Sequence, residues 1–359
     1  MKYYNNNIEI RKKHHQVIRR NPLALDMGLS CGEIYQASGT LPVSDTPSPL
    51  YLYLFNIYKF LMTTSTTTFT SSKTWTWQGF PICYQTLGTH GPAVVLVHGF
   101  GASWWHWRKN IPVLAENCRV YAIDLIGFGG SAKPEPGGEI TYTLEKWGQQ
   151  LADFCRQVVG EPAFLVGNSI GCIVVLQAAV SNPDIALGVS LINCSLRLLH
   201  DRKRATLPWS RRFGAPILQK ILSIKPVGKF FFNQVAKPKT VRKILLQAYA
   251  NAEIVTDELV DILTAPAKDP GAVAVFLAFT AYSTGPLPED LLPLLPCPAI
   301  ILWGTADPWE PVDLGRELAN YPQVLKFIAL EGVGHCPQDE APELVNPILL
   351  HWMGERSPV

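Results

Sequence analysis

The 359-residue sequence predicts an α/β fold, a mostly parallel central sheet flanked by helices, with a helical insertion over its carboxyl edge. Three observations carry that reading. From Trp75 onward, short apolar runs alternate with stretches of helical period. The rhythm breaks between Asn193 and Ala299, where the chain reads as helices and loops. A Gly-x-Ser-x-Gly pentapeptide directly follows one of the apolar runs.

In order, residues 74–77 and 82–86 read as a hairpin around Gly79, and 93–98 (AVVLVH) as a buried strand. A helix is expected over 107–116, a strand over 119–124 and an amphipathic helix over 144–159. The strand Ala163–Asn168 leads into a helix over 169–181, then a strand over 187–193. After the insertion come strands at 299–303 and Val324–Leu330, with helices at 312–320 and 341–352. This places a core at 74–196 and 291–355 and a cap at 197–290.

The N-terminal 73 residues are different material. They are basic and Asn-rich, then Pro-interrupted, and end in a Thr/Ser tract, a composition that buries little. A disordered tail, a targeting segment and an over-long start, with Met62 as the true first residue, all fit. With 47% hydrophobic residues the remainder can bury one large core.

A net charge of +2 singles out no partner for the chain as a whole. The eight cysteines are scattered without metal-ligand spacing, which suggests reduced, mostly buried thiols in a reducing compartment inside the cell. No metal and no cofactor is expected. No apolar run reaches the ~18 residues of a membrane span; the nearest, residues 50–62, contains Asn56 and Lys59.

The chemistry centres on Gly167-Asn168-Ser169-Ile170-Gly171. A strand before it and a helix after it make a turn so tight that the flanking glycines must lack side chains. The turn presents the Ser169 hydroxyl as a nucleophile at the sheet edge. Gly28-Leu29-Ser30-Cys31-Gly32 also matches the pentapeptide, but no strand precedes it and no helix follows. After the strand at 93–98 comes His98-Gly99-Phe100-Gly101. Acyl transfer needs two backbone amides for the oxyanion, and Phe100 and Ile170 are the candidates. His98 reads as a brace for that loop.

The candidate base is His335, on a glycine-rich loop after the last strand, and the candidate acid is Asp307, just after the strand at 299–303. The position after the preceding strand offers Asn193 and no carboxylate. Asp124, in a Gly-rich turn, reads as structural. Trp104 and Trp105 follow the oxyanion loop and are candidates for a pocket wall, or for helix–sheet packing.

Together these motifs resemble the α/β-hydrolase family over about residues 75–355. The resemblance implies that family's fold and a hydrolase activity. Haloalkane dehalogenases and related epoxide hydrolases carry Asp at the elbow, where this chain has Ser169. Longer stretches, among them Gly285-Pro286-Leu287-Pro288-Glu289-Asp290, Asp307-Pro308-Trp309-Glu310-Pro311 and Gly334-His335-Cys336-Pro337-Gln338-Asp339-Glu340, resemble the chlorophyll dephytylase and pheophytinase group. That narrower resemblance implies a chlorophyll-type phytyl ester as substrate and a plastid or thylakoid setting.

The cap carries thirteen Lys and Arg between Arg197 and Ala252 against one acid, Asp201, with apolar residues interleaved. Peripheral contact with an anionic membrane fits this pattern, as does a solvated face over a packed one. No nucleic-acid motif accompanies the charges, so no nucleic-acid partner is expected.

Overall fold

The structure, a computed structural model, describes residue 69 and residues 71–138, 140–203 and 218–356. The readings of the N-terminal segment, of the second pentapeptide at 28–32 and of Cys31 fall outside the described residues, as do Arg204, Arg211 and Arg212 of the cap.

Eight strands form one sheet: β1 (Lys73–Trp77), β2 (Phe80–Leu87), β3 (Ala93–Val97), β4 (Arg119–Ile123), β5 (Ala163–Asn168), β6 (Ala186–Ile192), β7 (Ala299–Gly304) and β8 (Val324–Leu330). Their order is β1-β2-β4-β3-β5-β6-β7-β8. The β1–β2 and β2–β4 pairs are antiparallel and all others parallel. Gln78 and Gly79, at φ 50° and 84°, close the first hairpin in the two-residue turn that matches strand twist.

The central strands are buried on both faces because side chains alternate along them. Val95, Val97, Leu165, Ile301 and Trp303 enter one core, and Val94, Leu96, Phe164, Val166 and Leu302 the other. Full burial of one such side chain is worth about 1.5–3 kcal/mol. Helix α1 (Leu144–Phe154) starts at Thr143, whose hydroxyl accepts from the Lys146 amide at 3.2 Å. Helix α2 (Ile170–Ser181) is apolar all round and lies buried in the first core.

Where a helix was expected over 107–116, the chain makes a 3₁₀ turn at Trp104–Trp107 and one α turn at Ile111–Leu114. The reason is Pro112, which has no N–H to donate and is tolerated only in a first turn, so a helix starts there rather than running through.

Between β6 and β7 the chain forms a helical turn at 218–222, then α3 (Lys225–Val235), α4 (Pro238–Ala248), α5 (Asp257–Thr264) and α6 (Ala272–Ala281). The chain then returns to the sheet, where the longer helices are α7 (Val312–Glu317) and α8 (Pro342–Gly354) beside single turns at Pro288–Leu291 and Pro337–Glu340. Among the described residues no single helix is long and apolar enough to cross a membrane.

Strand β3 pairs with β4 on one side and β5 on the other, so the chain's direction of travel across the sheet reverses there. A crevice outside the carboxyl ends of the strands at such a switch point is where ligands bind in open α/β sheets. Residues 98–102 leave β3 and Ser169 leaves β5 on either side of that crevice.

Candidate active site

Ser169 sits between β5 and α2 at φ 55°, ψ −120°, a conformation an L-residue holds only when its surroundings impose it. The surroundings do so by close approach. A Cβ on Gly167 would stand 2.5 Å from the Gly171 backbone, and one on Gly171 2.5 Å from the Val97 carbonyl oxygen. The loop after β3 is equally near, since a Cβ on Gly99 would lie 3.2 Å from that of Ser169.

Asp307 and His335 come together from the ends of β7 and β8. His335 Nδ1 donates to Asp307 Oδ2 at 2.6 Å. This leaves the imidazole Nε2 as the basic nitrogen. Asp307 is saturated with donors: Asn193 Nδ2 reaches Oδ2 at 2.7 Å, while the Trp309 and Glu310 amides reach Oδ1 at 2.8 and 3.1 Å. Burial, the largest influence, works to raise its pKa. The hydrogen bond and charge of His335 with the Asn193 and Trp309 donors outweigh it and hold the carboxylate below its ordinary value.

Asn193 is a neighbour of Asp307 whose part in the site the sequence left unread. At φ 44° it follows β6, donates to Asp307 and accepts from the Gly304 amide at 3.0 Å. The absence of a carboxylate after β6 was visible in the sequence; that the amide there serves the carboxylate one strand over was not. Asn168 likewise braces the His335 loop, donating to the carbonyls of Ile192 and His335 at 3.1 and 3.2 Å.

Ser169, His335 and Phe100 line one cavity of about 430 Å³. Ile170 follows Ser169 at the head of α2, and among the described residues neither its amide nor that of Phe100 donates to another backbone carbonyl. Cap helices α3, α4 and α6 complete the cavity with Phe232, Leu245 and Phe276 among others.

The aromatic wall is not the one expected. Trp104 and Trp105 do not line the cavity; they stack on each other at 4.3 Å, meet the edge of Phe69, and pack with the second core. The 3₁₀ turn aims them there, because Asp124 Oδ1 pins the Trp104 amide at 2.6 Å. Phe100, Phe128, Phe232, Phe276 and Trp309 take their place, with Phe100 stacked on Phe279 at 4.8 Å.

His98 is a brace. Its Nδ1 donates to the Gly99 carbonyl at 2.7 Å and its Nε2 accepts from the Leu125 amide at 3.1 Å. Burial holds it neutral, pushing its pKa down to about 4. Asp124 also orders its turn, accepting from Trp104 and Gly130. Burial pushes the Glu310 carboxyl up to about 7 against the opposing pull of the Leu196 amide, His335 and Ser195. Glu310 Oε1 accepts from Ser195 Oγ at 3.1 Å, and Oε2 is buried without a hydrogen-bond partner among the described residues.

The cap is tied to the loop that carries His335. The His335 amide donates to the Ala248 carbonyl at 2.7 Å. Tyr249 Oη donates to Asp339 at 2.8 Å and accepts from His106 Nε2 at 3.0 Å. Asp339 also meets Arg108 and Lys109 at 2.9 and 3.0 Å. Among the described residues no cluster of three or more His, Cys, Asp or Glu is arranged to hold a metal, and the seven described cysteines are free thiols.

A nucleophile elbow between strand and helix, with an acid and a histidine after later strands, is a family's signature, and the model of the alpha/beta hydrolase family matches residues 94–348. The chain belongs to the alpha/beta hydrolase family. This alpha/beta hydrolase is 26% identical over 296 residues to a chloroplastic pheophytinase of Arabidopsis thaliana, across 73% of this chain and 61% of that protein's length. It is 28% identical to an uncharacterized hydrolase, YugF, of Bacillus subtilis, across 73% and 89%. Among solved structures, a thermophilic esterase from Thermogutta terrifontis superposes with a TM-score of 0.63 at 24% identity, across 80% of this chain and 100% of the other. At that identity the likeness speaks for the fold alone.

Proposed function

We propose that this hydrolase cleaves a carboxylic ester of an apolar alcohol through an acyl-enzyme on Ser169, and that its substrate is the phytyl ester of a chlorophyll-type pigment. The observation that carries the reading is the His335–Asp307 bond of 2.6 Å beside a cavity that Ser169 also lines.

In this mechanism His335 Nε2 takes the Ser169 hydroxyl proton as Oγ attacks the ester carbonyl. The oxyanion that forms is held by the Phe100 and Ile170 amides. Asp307 keeps the imidazole in the required tautomer and stabilises the imidazolium. The imidazolium then protonates the leaving alcohol as the C–O bond breaks. A water, deprotonated by the same nitrogen, attacks the acyl-enzyme, and the imidazolium then gives that proton to Ser169 Oγ as the C–Oγ bond breaks and the acid leaves. Ser169, rather than an aspartate, at the elbow supports acyl transfer.

The apolar lining, the resemblance of residues 307–311 and 334–340 to the pheophytinase group, and the likeness to the Arabidopsis pheophytinase support the pigment ester. The test is to incubate the enzyme and its Ser169→Ala variant with detergent-dispersed chlorophyll a and pheophytin a, following phytol and the pigment acid. The wild type is expected to release both products. The variant should be slower by roughly 10⁶-fold. If the wild type leaves both pigments intact but cleaves a short chromogenic ester, the pigment assignment fails and the serine-hydrolase mechanism stands. A variant as fast as wild type overturns the mechanism.

A further inference from the structure

Outside the catalytic cavity, one surface departs from what a soluble domain usually presents. Over residues 218–231, Leu218, Ile221, Ile224, Val227, Phe230 and Phe231 are all exposed, with Phe230 at 67% and Ile224 at 54%. The other exposed large apolar side chains include Leu199, Leu294, Trp309, Leu314 and Leu325, which are scattered along the sequence, as single surface apolars commonly are. Six exposed large apolar side chains within fourteen residues, five of them at three-residue steps, are a local concentration, and exposed apolar patches mark interaction sites.

The charge around the patch has one sign. Lys220, Lys225, Lys229, Lys239 and Lys243 are exposed, and none forms an ion pair with a described residue. No Asp or Glu occurs between Arg202 and Ala252. The nearest following acids are Glu253 and Asp257, and Arg242 pairs with Asp257. Protein–protein interfaces favour Arg, Tyr and Trp and are poor in Lys. Lysines ringing aliphatic and Phe side chains are the composition of a surface that enters the headgroup–acyl boundary of a bilayer.

The patch also lies opposite the cavity on the same helix. Phe232 of α3 is buried and lines the cavity, while Phe230, two residues earlier and about 200° around the helix, points outward. In α4, Leu245 lines the cavity and Leu246 is 44% exposed.

We propose that the outer face of residues 218–246 docks on an anionic lipid bilayer, its apolar side chains among the upper acyl chains and its lysines on the headgroups. The docking stands on the surface itself. Its consequence, that an apolar ester passes from the bilayer into a cavity roofed by the docked helices, rests on the ester-hydrolase reading above. A long hydrocarbon chain then moves from lipid to protein without crossing water, where each CH₂ of its length would be solvated.

The test is sedimentation of the full chain with phosphatidylglycerol/phosphatidylcholine vesicles and with phosphatidylcholine alone. Binding to the mixed vesicles, weakened by added salt, is expected, with little to the neutral ones. Lys225→Gln/Lys229→Gln should weaken partitioning on the order of 30-fold, and Ile224→Ser/Phe230→Ser by about 10-fold or more. Both double variants should cleave a short soluble ester at the wild-type rate, which shows that they fold. Ser169→Ala should bind vesicles as wild type does. No binding to anionic vesicles, or binding that neither double variant weakens, overturns the proposal. A wild-type dimer that both double variants dissociate also overturns it, assigning the face to a second copy. If vesicles bind but no ester is cleaved, the hydrolase reading fails and the docking stands; the converse result separates them the other way.

Discussion

The sheet edge and the cap are held by different physics. Central strands bury side chains on both faces, and their ends approach so closely that backbone atoms are the walls of the Ser169 turn. The cap buries a narrower stripe, Leu222, Phe232, Leu245, Ala248 and Tyr249 among it, and leaves its outer apolar face to solvent. Geometry that must hold to fractions of an ångström is thus placed where nothing can give. Surface that meets substrate and surroundings is placed where substitution is tolerated.

Gly171→Ala strikes the rigid side hardest. Its Cβ would meet the Val97 and His98 carbonyl oxygens at 2.5 and 2.7 Å, both backbone atoms. A loss of about 3 kcal/mol or more in chemical denaturation is expected. A variant as stable as wild type would show the sheet edge to be as yielding as the cap.

Glu310→Gln tests a buried carboxyl on the same edge. Folding raises its pKa from 4.5 to about 7, so between those values the native state binds more protons than the unfolded one. Its contribution is complete below pH 4.5 and is lost as pH rises through 7. Relative to Glu310→Gln, the wild type should lose on the order of 2 kcal/mol across that window. Parallel stability–pH curves for the two proteins would refute this.

Asn193→Gly keeps a residue suited to φ 44° and removes the donor to Asp307 and the acceptor for Gly304. We expect kcat/KM for a soluble ester to fall roughly 10-fold, with Ser169 still reactive toward a covalent phosphonate. A change of less than twofold would leave Asn193 without a positioning role. On the cap, Ile224→Ser should shift stability by no more than about 0.5 kcal/mol, because its side chain is already exposed. A larger loss would mean that the outer face supports the fold.

The same divide explains what was legible in the sequence. Strand and elbow patterns are local, so the strand Ala163–Asn168 and the turn at Ser169 could be read from neighbouring residues, whereas the order of the strands across the sheet could not. His335 and Asp307 could be read because each closes a strand whose apolar run announces it. Contacts across long stretches of chain have no such signal. The Asn193–Asp307 bond joins residues 114 apart, and the Lys109 bond to the Asp339 carbonyl joins residues 230 apart. The direction of Trp104 and Trp105 was hidden for a related reason. An apolar run shows that side chains will be buried, but Asp124, twenty residues on, decides in which core.

The ties between cap and base have a consequence for evolution and for design. The amide of His335 rests on the Ala248 carbonyl, and Glu340 accepts from the amides of both Gly334 and Asn251. The end of α4 is therefore part of what holds the histidine in place. A cap exchanged between relatives to change what the enzyme accepts cannot be cut at the ends of the insertion alone. Residues 248–251 must travel with the histidine loop they support, or a new specificity will arrive with His335 displaced.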